Sequence, residues 1–458
     1  MNHSQTYQTT SNHNQSPYLV ILGGGESGVG AAKLGLKQGF KVFLSDAGNI
    51  SKKYSEELND LNVPFESNKH SLEEILKADL IIKSPGIPAT AAVVLKAVEA
   101  KIPVISEIEF AGRYTSAKKI CITGSNGKTT TTLLTYHLLK KAGLNVGLAG
   151  NIGNSFAAQV ATANFDFYVL EISSFMLDDM YDFKADIAVL LNITPDHLDR
   201  YAYSLDLYAD SKMRITQNQT QADSFIYCAD DPETLKCLER HIINAKKYPF
   251  SIQKTTGVTA FLQNNNIQIN LHNPFTMSIT DLALQGKHNL YNSMASGIVA
   301  KVLELRNETI RESMGDFKNL AHRLEHVAKI SGIDYINDSK ATNVNATWYA
   351  IESIPTDIVL IMGGVDKGND YNMMKDVVKQ KVKAIVCLGK DNKRIHEAFE
   401  DDVDIIVNTF SATEAVQVAY HLAKKGDTVL LSPACASFDL FKNYEDRGDQ
   451  FKSAVREL

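Results

Sequence analysis

KKICITGSNGKTTTTLLTYHLLKKAG, residues 118–143, is the stretch on which the reading of this chain turns. It reads as a strand, a glycine loop and a strong helix. Thr123-Gly124-Ser125-Asn126-Gly127-Lys128-Thr129 is then placed where successive backbone N–H groups can cradle a triphosphate at a helix N-terminus. Lys128 supplies a compact positive charge, and the Thr129 hydroxyl is able to ligate Mg2+. The string departs from G-x-x-x-x-G-K-[ST], because Ile122 stands where the first glycine would be. A plain glycine turn with a surface lysine would leave the flanking strand and helix unexplained.

Working outward, the next strands are FYVLEISS and ADIAVLLNIT. Glu171 closes the first, and His197 follows the second in NITPDHLDRY. Parallel strands deliver their last residues to one edge, so both are candidate partners of the loop, with Asp196 and Asp199 as competing ligands. The polar region from Asn218 to Thr280 is expected at the periphery of the sheet. Upstream, YLVILGGG, a helix near Ala31 to Lys37, KVFLSD, ADLIIKSPG and IPVIS alternate strand and helix. Gly23, Gly25 and Gly28 fit G-x-G-x-x-G, with Asp46 ending the next strand and Ser84-Pro85-Gly86-Ile87-Pro88 forming another loop at that edge. Alone, this cluster suits NAD, another phosphate-bearing nucleotide, or a mere βα turn. Downstream, DIVLIMGG, KAIVCLG, DIIVNTF and DTVLLSPACAS form a third series, with SATEAVQVAYHLAKKG as one of its helices.

Composition agrees with three domains. The chain has 458 residues, and domains of ~150 residues are usual because single cores stop growing at about twice that size. Hydrophobic residues at 44% and charged residues at 22% exclude disorder and fibrous repeats. Forty-seven basic against 53 acidic residues leave a net charge of −6, which points to small substrates rather than nucleic acid. Cys121, Cys228, Cys237, Cys387 and Cys435 lack metal-ligand spacing and are expected as reduced thiols of a cytoplasmic protein. Residues 1–17 form a polar tail without an apolar signal core, and no run reaches the ~18 apolar residues of a spanning helix.

The strings TGSNGKTT, VLEISSF, NITPDHLDRY, GKHNLYN, AHRLEHV, NDSKATN, GGVDKG and SPACASFD occur in an order that resembles the Mur ligases, over essentially all of Tyr18 to Leu458. Within that family, NDSKATN and LSPACASFDLFKNYEDRG look most like the branch that adds the second residue of the peptidoglycan stem peptide. The resemblance implies an α/β fold of three consecutive domains: a Rossmann-like UDP-sugar domain over 18–107, a P-loop ATPase-like parallel sheet over 108–319, and a Rossmann-like amino-acid domain over 320–458. It implies an ATP-dependent ligase joining D-glutamate to UDP-N-acetylmuramoyl-L-alanine through an acyl phosphate, acting as a cytoplasmic monomer with no nucleic-acid partner and no membrane insertion.

It also implies residue roles. Ser27, Asp46, Gly86 and Asn151 would serve the UDP-sugar, which displaces the NAD reading. Gly124, Ser125, Asn126, Gly127, Lys128, Thr129, Thr130, Asn289, Asn292, Arg323 and Asp338 would serve ATP. Lys340, Thr342, Lys367, Ser437, Phe438 and Tyr444 would serve D-glutamate. Catalysis would rest on Lys128, Glu171, His197 and Lys212, with Thr129, Glu171, His197 and Lys212 around two Mg2+ ions and Lys212 carrying a CO2-derived carbamate. By residue chemistry alone, Lys212 is a solvated helix lysine.

Two rivals of other classes remain open at this stage, an NAD-linked oxidoreductase built on Gly23 to Gly28 and a non-catalytic nucleotide-binding regulator. A third is another amide ligase of the same tripartite order, a folylpolyglutamate synthase included. A thermal-shift titration discriminates the oxidoreductase: Mg-ATP and a UDP-sugar are expected to raise the melting temperature, whereas stabilisation by NADH alone would reverse the reading.

Overall fold

The computed structural model describes residues 16–317, 321–366 and 368–458. Most of the polar tail, the junction at 320 and Lys367 therefore lie outside the described residues. Strands fall in three groups along the chain. The first holds β1 (Tyr18–Leu22), β2 (Lys41–Ser45), β3 (Phe65–Glu66), β4 (Leu80–Lys83) and β5 (Val104–Ile105). The second holds β6 (Lys118–Thr123), β7 (Val146–Gly150), β8 (Phe167–Glu171), β9 (Ile187–Leu190), β10 (Ser224–Cys228), β11 (Lys246–Ser251), β12 (Ala260–Gln263), β13 (Asn266–Ile269) and β14 (Phe275–Ser278). The third holds β15 (Glu325–Ile330), β16 (Ile333–Asn337), β17 (Ile358–Met362), β18 (Val382–Leu388), β19 (Ile406–Thr409) and β20 (Thr428–Leu431). The chain divides into two compact units, one up to Lys119 together with Val146–Ala185, the other made of Ile120–Asn145 and Asp186–Leu458.

In the first unit the order β3-β2-β1-β4-β5 is parallel throughout. Helices cover both faces of such a sheet, so Leu19, Val20, Ile21 and Leu22 form an unbroken apolar run and are all fully buried. The helix after β1 spans Glu26–Lys37, starting five residues before the expected Ala31. Gly28, the third glycine of the G-x-G-x-x-G string, lies buried inside its first turn. β7 and β8 pair in parallel in the same unit. Two buried carboxylates fasten this pair to the first sheet's trailing helix, Glu107–Gly112. Glu107 accepts hydrogen bonds from Ser155 Oγ at 2.7 Å and the Ala157 N–H at 2.6 Å. Glu109 accepts from the N–H groups of Tyr181, Asp182 and Phe183 and pairs with Arg113 at 3.0 Å. Lys83 and Asp179 add a buried ion pair at 2.7 Å.

In the second unit β6 pairs with β9 and β9 with β10, then β11 and β12 continue in parallel before β13 and β14 turn antiparallel. The region 218–280 thus contributes five strands to the sheet instead of standing beside it. Its last strands alternate buried positions with half-buried or exposed ones, as in NIQI and FTMS, and such an antiparallel edge carries enough polar residues to look like loop. The third group has the order β15-β16-β20-β17-β18-β19. β17, β18, β19 and β20 fall on the four expected runs, with the helix Ala412–Leu422 between the last two. β15 and β16 form an antiparallel hairpin at its edge. Each series therefore builds a sheet whose parallel strands end at one edge; Ser125 and Asn126 sit in a loop there, whereas Lys128, Lys212, Asn289, Asn292 and Tyr444 lie in helices.

Burial is the largest influence on Glu107 and pushes its carboxyl up to about 7, against opposing hydrogen bonds from Ala157, Ser155 and Phe156. A carboxyl raised on folding contributes stability that is complete below its unfolded pKa and lost as pH rises through the folded value. Glu107→Gln removes this titration, so the melting temperature of the variant relative to the parent should climb between roughly pH 5 and roughly pH 8. A difference that stays constant over that range would contradict the assignment.

Candidate active site

Ser27, Asp46 and Gly86 line one cavity of about 750 Å3 in the first unit, with Gly23, Gly24, Gly25, Ser84 and Ile87. The Asp46 carboxylate shapes its floor by accepting the Gly24 N–H at 2.6 Å and the Gly48 N–H at 2.7 Å. Glu26 borders the same cavity, and Tyr54 donates to it at 3.1 Å. His70, also in the lining, is held by Ser45 Oγ at 2.7 Å and carried no sequence signal. Asn151 is not among the lining residues. Its side chain donates to Glu171 Oε1 at 2.8 Å, and its N–H donates to the Glu171 carbonyl at 2.9 Å. The approach is possible because Gly150, at φ 96°, has no Cβ to strike that carbonyl, which would lie 2.2 Å from it. Glu171 is thereby aimed from the end of β8, and its buried Oε2 has no hydrogen-bond partner among the described residues.

In the second unit the glycine loop is built as expected. Gly127, at φ 83°, caps the helix Lys128–Lys141. A side chain there would meet Asn292 Oδ1 at 2.5 Å. The loop is clamped by the segment after β9. Asn192 Oδ1 accepts the Asn126 N–H at 2.9 Å while its Nδ2 donates to the Asn126 carbonyl at 3.1 Å. Ser125 Oγ donates to the Thr194 carbonyl and accepts the Thr194 N–H, both at 2.9 Å. The sequence had singled out neither Asn192 nor Thr194, although both stand in NITPDHLDRY.

Lys128 Nζ donates to the carbonyls of Gly124 at 2.8 Å and Ser125 at 2.9 Å. Lys212, at 1% exposure, donates to the same Gly124 carbonyl at 2.9 Å and lies 4.5 Å from the Tyr208 ring centroid. It is not a solvated lysine. Two ammonium groups on one carbonyl oxygen make the loop mouth suited to a polyanion. Thr129 is half-buried and Thr130 buried at the head of the helix. His197 has φ 53° and lies 3.7 Å from Asp196 Oδ1, just before a turn in which Ala202 and Tyr203 also have positive φ. Such backbone cost concentrates at functional sites.

Asn292 accepts from Thr131 Oγ1 at 3.1 Å and donates to Asn289 Oδ1 at 3.1 Å, which ties the helix Lys287–Val302 to the loop's own helix. A cavity of about 90 Å3 is lined by Asn126, Gly127, Asn292, Arg323, His288, Tyr291 and Tyr349. Burial, then the Arg323 charge, pull the His288 imidazole down to about 3. Asp338 accepts from the Leu324 N–H at 3.2 Å and Ser432 Oγ at 2.9 Å. Burial pushes its carboxyl up to about 6, with Arg323 opposing.

Lys340 Nζ lies 5.5 Å from the Tyr444 ring centroid, so two of the expected amino-acid contacts are neighbours. Ser437 is buried and Phe438, beside it, is 70% exposed. Thr342 is half-buried beyond β16. Asn343 donates to Asp196 at 3.4 Å, which brings this group of loops beside the His197 segment.

A parallel sheet with a glycine loop and lysine at a helix head defines a phosphate-binding protein with further loops converging from a third sheet. The chain belongs to the Mur ligase family. It matches the Mur ligase MurD-like N-terminal domain over residues 18–106, the Mur ligase middle domain over 122–300 and the Mur ligase glutamate ligase domain over 322–435. Among its relatives, the UDP-N-acetylmuramoylalanine–D-glutamate ligase of Porphyromonas gingivalis is 55% identical over 96% of this chain and 98% of that protein. The enzyme of that name from Bacteroides fragilis is 54% identical over 96% and 99%. The UDP-N-acetylmuramate-alanine ligase of Thermotoga maritima superposes with a TM-score of 0.61 at 17% identity, covering 96% of this chain and 99% of that one. The MurF ligase of Thermotoga maritima, in complex with ADP, gives 0.60 at 16% identity, covering 91% and 95%. At these identities the two structures show the shared fold.

Asn192→Ala removes both bonds to the Asn126 backbone. At about 1 kcal/mol for each bond, the affinity for Mg-ADP measured by calorimetry should fall at least about tenfold while the chain stays folded. An unchanged affinity would mean that the loop holds its shape without the clamp.

Proposed function

We propose that this protein is the ligase that joins D-glutamate to UDP-N-acetylmuramoyl-L-alanine with consumption of ATP, in the cytoplasmic synthesis of peptidoglycan precursor. The observation that carries the reading is the match to relatives of that name at 54–55% identity along 96% of the chain. The family models match this chain over residues 18–106, 122–300 and 322–435, and not at one nucleotide loop alone, which supports a division near residues 107 and 320.

An oxygen of the L-alanine carboxylate attacks the γ-phosphorus of ATP, and ADP leaves. The D-glutamate amine then attacks the acyl carbon, and phosphate leaves with the bonding electrons of the C–O bond. Since every reactant is anionic, the protein's work is positioning and charge neutralisation. Lys128 and the N–H groups from Gly124 to Thr130 hold the β and γ phosphates. Asn289, Asn292, Arg323 and Asp338 hold the rest of the nucleotide. Ser27, Asp46 and Gly86 take the UDP moiety, and Asn151 acts through Glu171. Lys340, Thr342, Lys367, Ser437, Phe438 and Tyr444 take D-glutamate, with the charged and hydroxyl groups rejecting uncharged rivals.

The buried Oε2 of Glu171, unpartnered among the described residues, fits a metal ligand. Mg2+ keeps several waters and is usually held by one or two carboxylates plus substrate phosphates. Thr129, Glu171, His197 and Lys212 would be the protein's ligands for the two ions. The ions would supply Lewis-acid neutralisation of phosphate charge. Lys212 fits a carbamate in being buried beside the loop. A carbamate keeps one Nζ–H able to donate to the Gly124 carbonyl, so modification would add carboxylate-like oxygens as ligands without requiring the loss of that bond.

Phosphate release with Mg-ATP and UDP-N-acetylmuramoyl-L-alanine should depend on D-glutamate and fail with L-glutamate, D-aspartate, L-alanine or meso-diaminopimelate. Release driven by one of these instead would assign the chain to another branch. Lys212→Arg keeps the cation but cannot be carbamylated, and kcat should drop by at least about a hundredfold. Near-normal turnover at ambient CO2 would remove the carbamate from the proposal.

A further inference from the structure

Arg447 is a buried guanidinium in the helix Tyr444–Arg456, at 1% exposure. Its donors reach three separate loops. Nε donates to Ser339 Oγ at 3.0 Å, and Nη2 donates to the Ser339 carbonyl at 2.9 Å. Nη1 donates to the Gly363 carbonyl at 3.3 Å, and both terminal nitrogens donate to the Cys435 carbonyl at 3.2 Å. Ser339 Oγ in turn donates to the Tyr444 carbonyl at 2.8 Å, which closes a ring back onto the helix that carries Arg447.

The three loops follow β16, β17 and β20. Beyond the sheet the loops after β17 and β20 are joined by a bridge between Val365 and Ala436, at 2.8 and 3.2 Å, and the loop after β16 meets the last through Ser432 Oγ on Asp338 at 2.9 Å; Arg447 bonds to all three loops at once. They are also the loops that carry Lys340 and Thr342 after the first, and Ser437 and Phe438 after the third. Tyr444 sits on Arg447's own helix. These hydrogen-bond acceptors are neutral oxygens. As a stability device this is costly, since an apolar residue of similar volume usually packs a core as well or better than a buried charge. As a template it is apt: the guanidinium is planar, carries five donors in a fixed fork, and sets distance and angle together. Burial draws its pKa down to about 10, so it stays cationic at neutral pH.

We infer that Arg447 is a positioning residue for the amino-acid acceptor, setting the spacing of the loops that grip D-glutamate while touching no substrate itself. The inference rests on the D-glutamate reading above. The amine must meet the acyl carbon within a narrow range, and a displacement of about 1 Å can cost on the order of a hundredfold.

The test is steady-state phosphate release by the full chain with each substrate varied in turn. Arg447→Lys keeps the charge but loses the fork. Ser339→Ala removes the Nε acceptor and the bond to Tyr444 with little change in volume. Both variants should raise KM for D-glutamate at least about tenfold while KM for Mg-ATP and for the UDP-sugar stays within about twofold. Unchanged KM values in a folded variant, or all three KM values moving together, would overturn the inference. Where Arg447→Lys does not fold, Ser339→Ala decides. If the parent releases phosphate with a different amino acid, the D-glutamate reading falls, and the Arg447 inference is then judged on the KM for that amino acid.

Discussion

Two lysine ammonium groups, Lys128 and Lys212, meet on the carbonyl oxygen of Gly124. The remainder of the second unit's site follows from keeping that loop in shape. A glycine loop can present its N–H groups to phosphate only if its own carbonyls and side chains are satisfied elsewhere. The carbonyls of Gly124 and Ser125 go to lysines, and the backbone of Asn126 goes to Asn192. Ser125 Oγ goes to the Thr194 backbone, and Asn292 fills the space that Gly127 leaves open. All of these partners except Lys128 come from segments distant in sequence. The cradle is therefore a tertiary object even though its amino acids are consecutive.

Buried charge recurs as the means of joining segments. Glu107, Glu109 and the Lys83–Asp179 pair bind β7, β8 and their helices to the first sheet. Arg447 does the same for three loops of the last sheet. Glu109 and Arg447 are satisfied largely by backbone N–H or C=O groups and Lys83 by Asp179, which offsets part of the desolvation and leaves a directional constraint that apolar packing lacks. Apolar residues make each sheet compact. Charged groups decide how loops and segments are set against one another.

The motifs with local physics were legible. A strand, a glycine loop and a helix in succession can be recognised from consecutive residues, because the turn geometry is set within a few positions. Glu171 could be placed at a strand end for the same reason, whereas His197 stands seven residues beyond the end of β9. The edge strands β12 to β14 were not legible, since half-exposed antiparallel strands hold as many polar residues as loops do. Nor was the buried state of Lys212, because nothing in LYADSKMR distinguishes a lysine facing Tyr208 and Gly124 from one facing water. Asn192, Thr194, His70 and Arg447 escaped notice because their roles are defined by partners far along the chain.

By itself, the sequence determined three successive α/β series, the position of the glycine loop and the family, because periodicity, turn chemistry and motif order are properties of neighbouring residues. Only the tertiary structure decided that Asn151 serves Glu171, that Asn192 and Ser125 lock the loop, and that one guanidinium gathers three loops. Those are hydrogen bonds between groups that meet only after the chain has folded, and their direction depends on angles and distances that no pattern of residue types encodes.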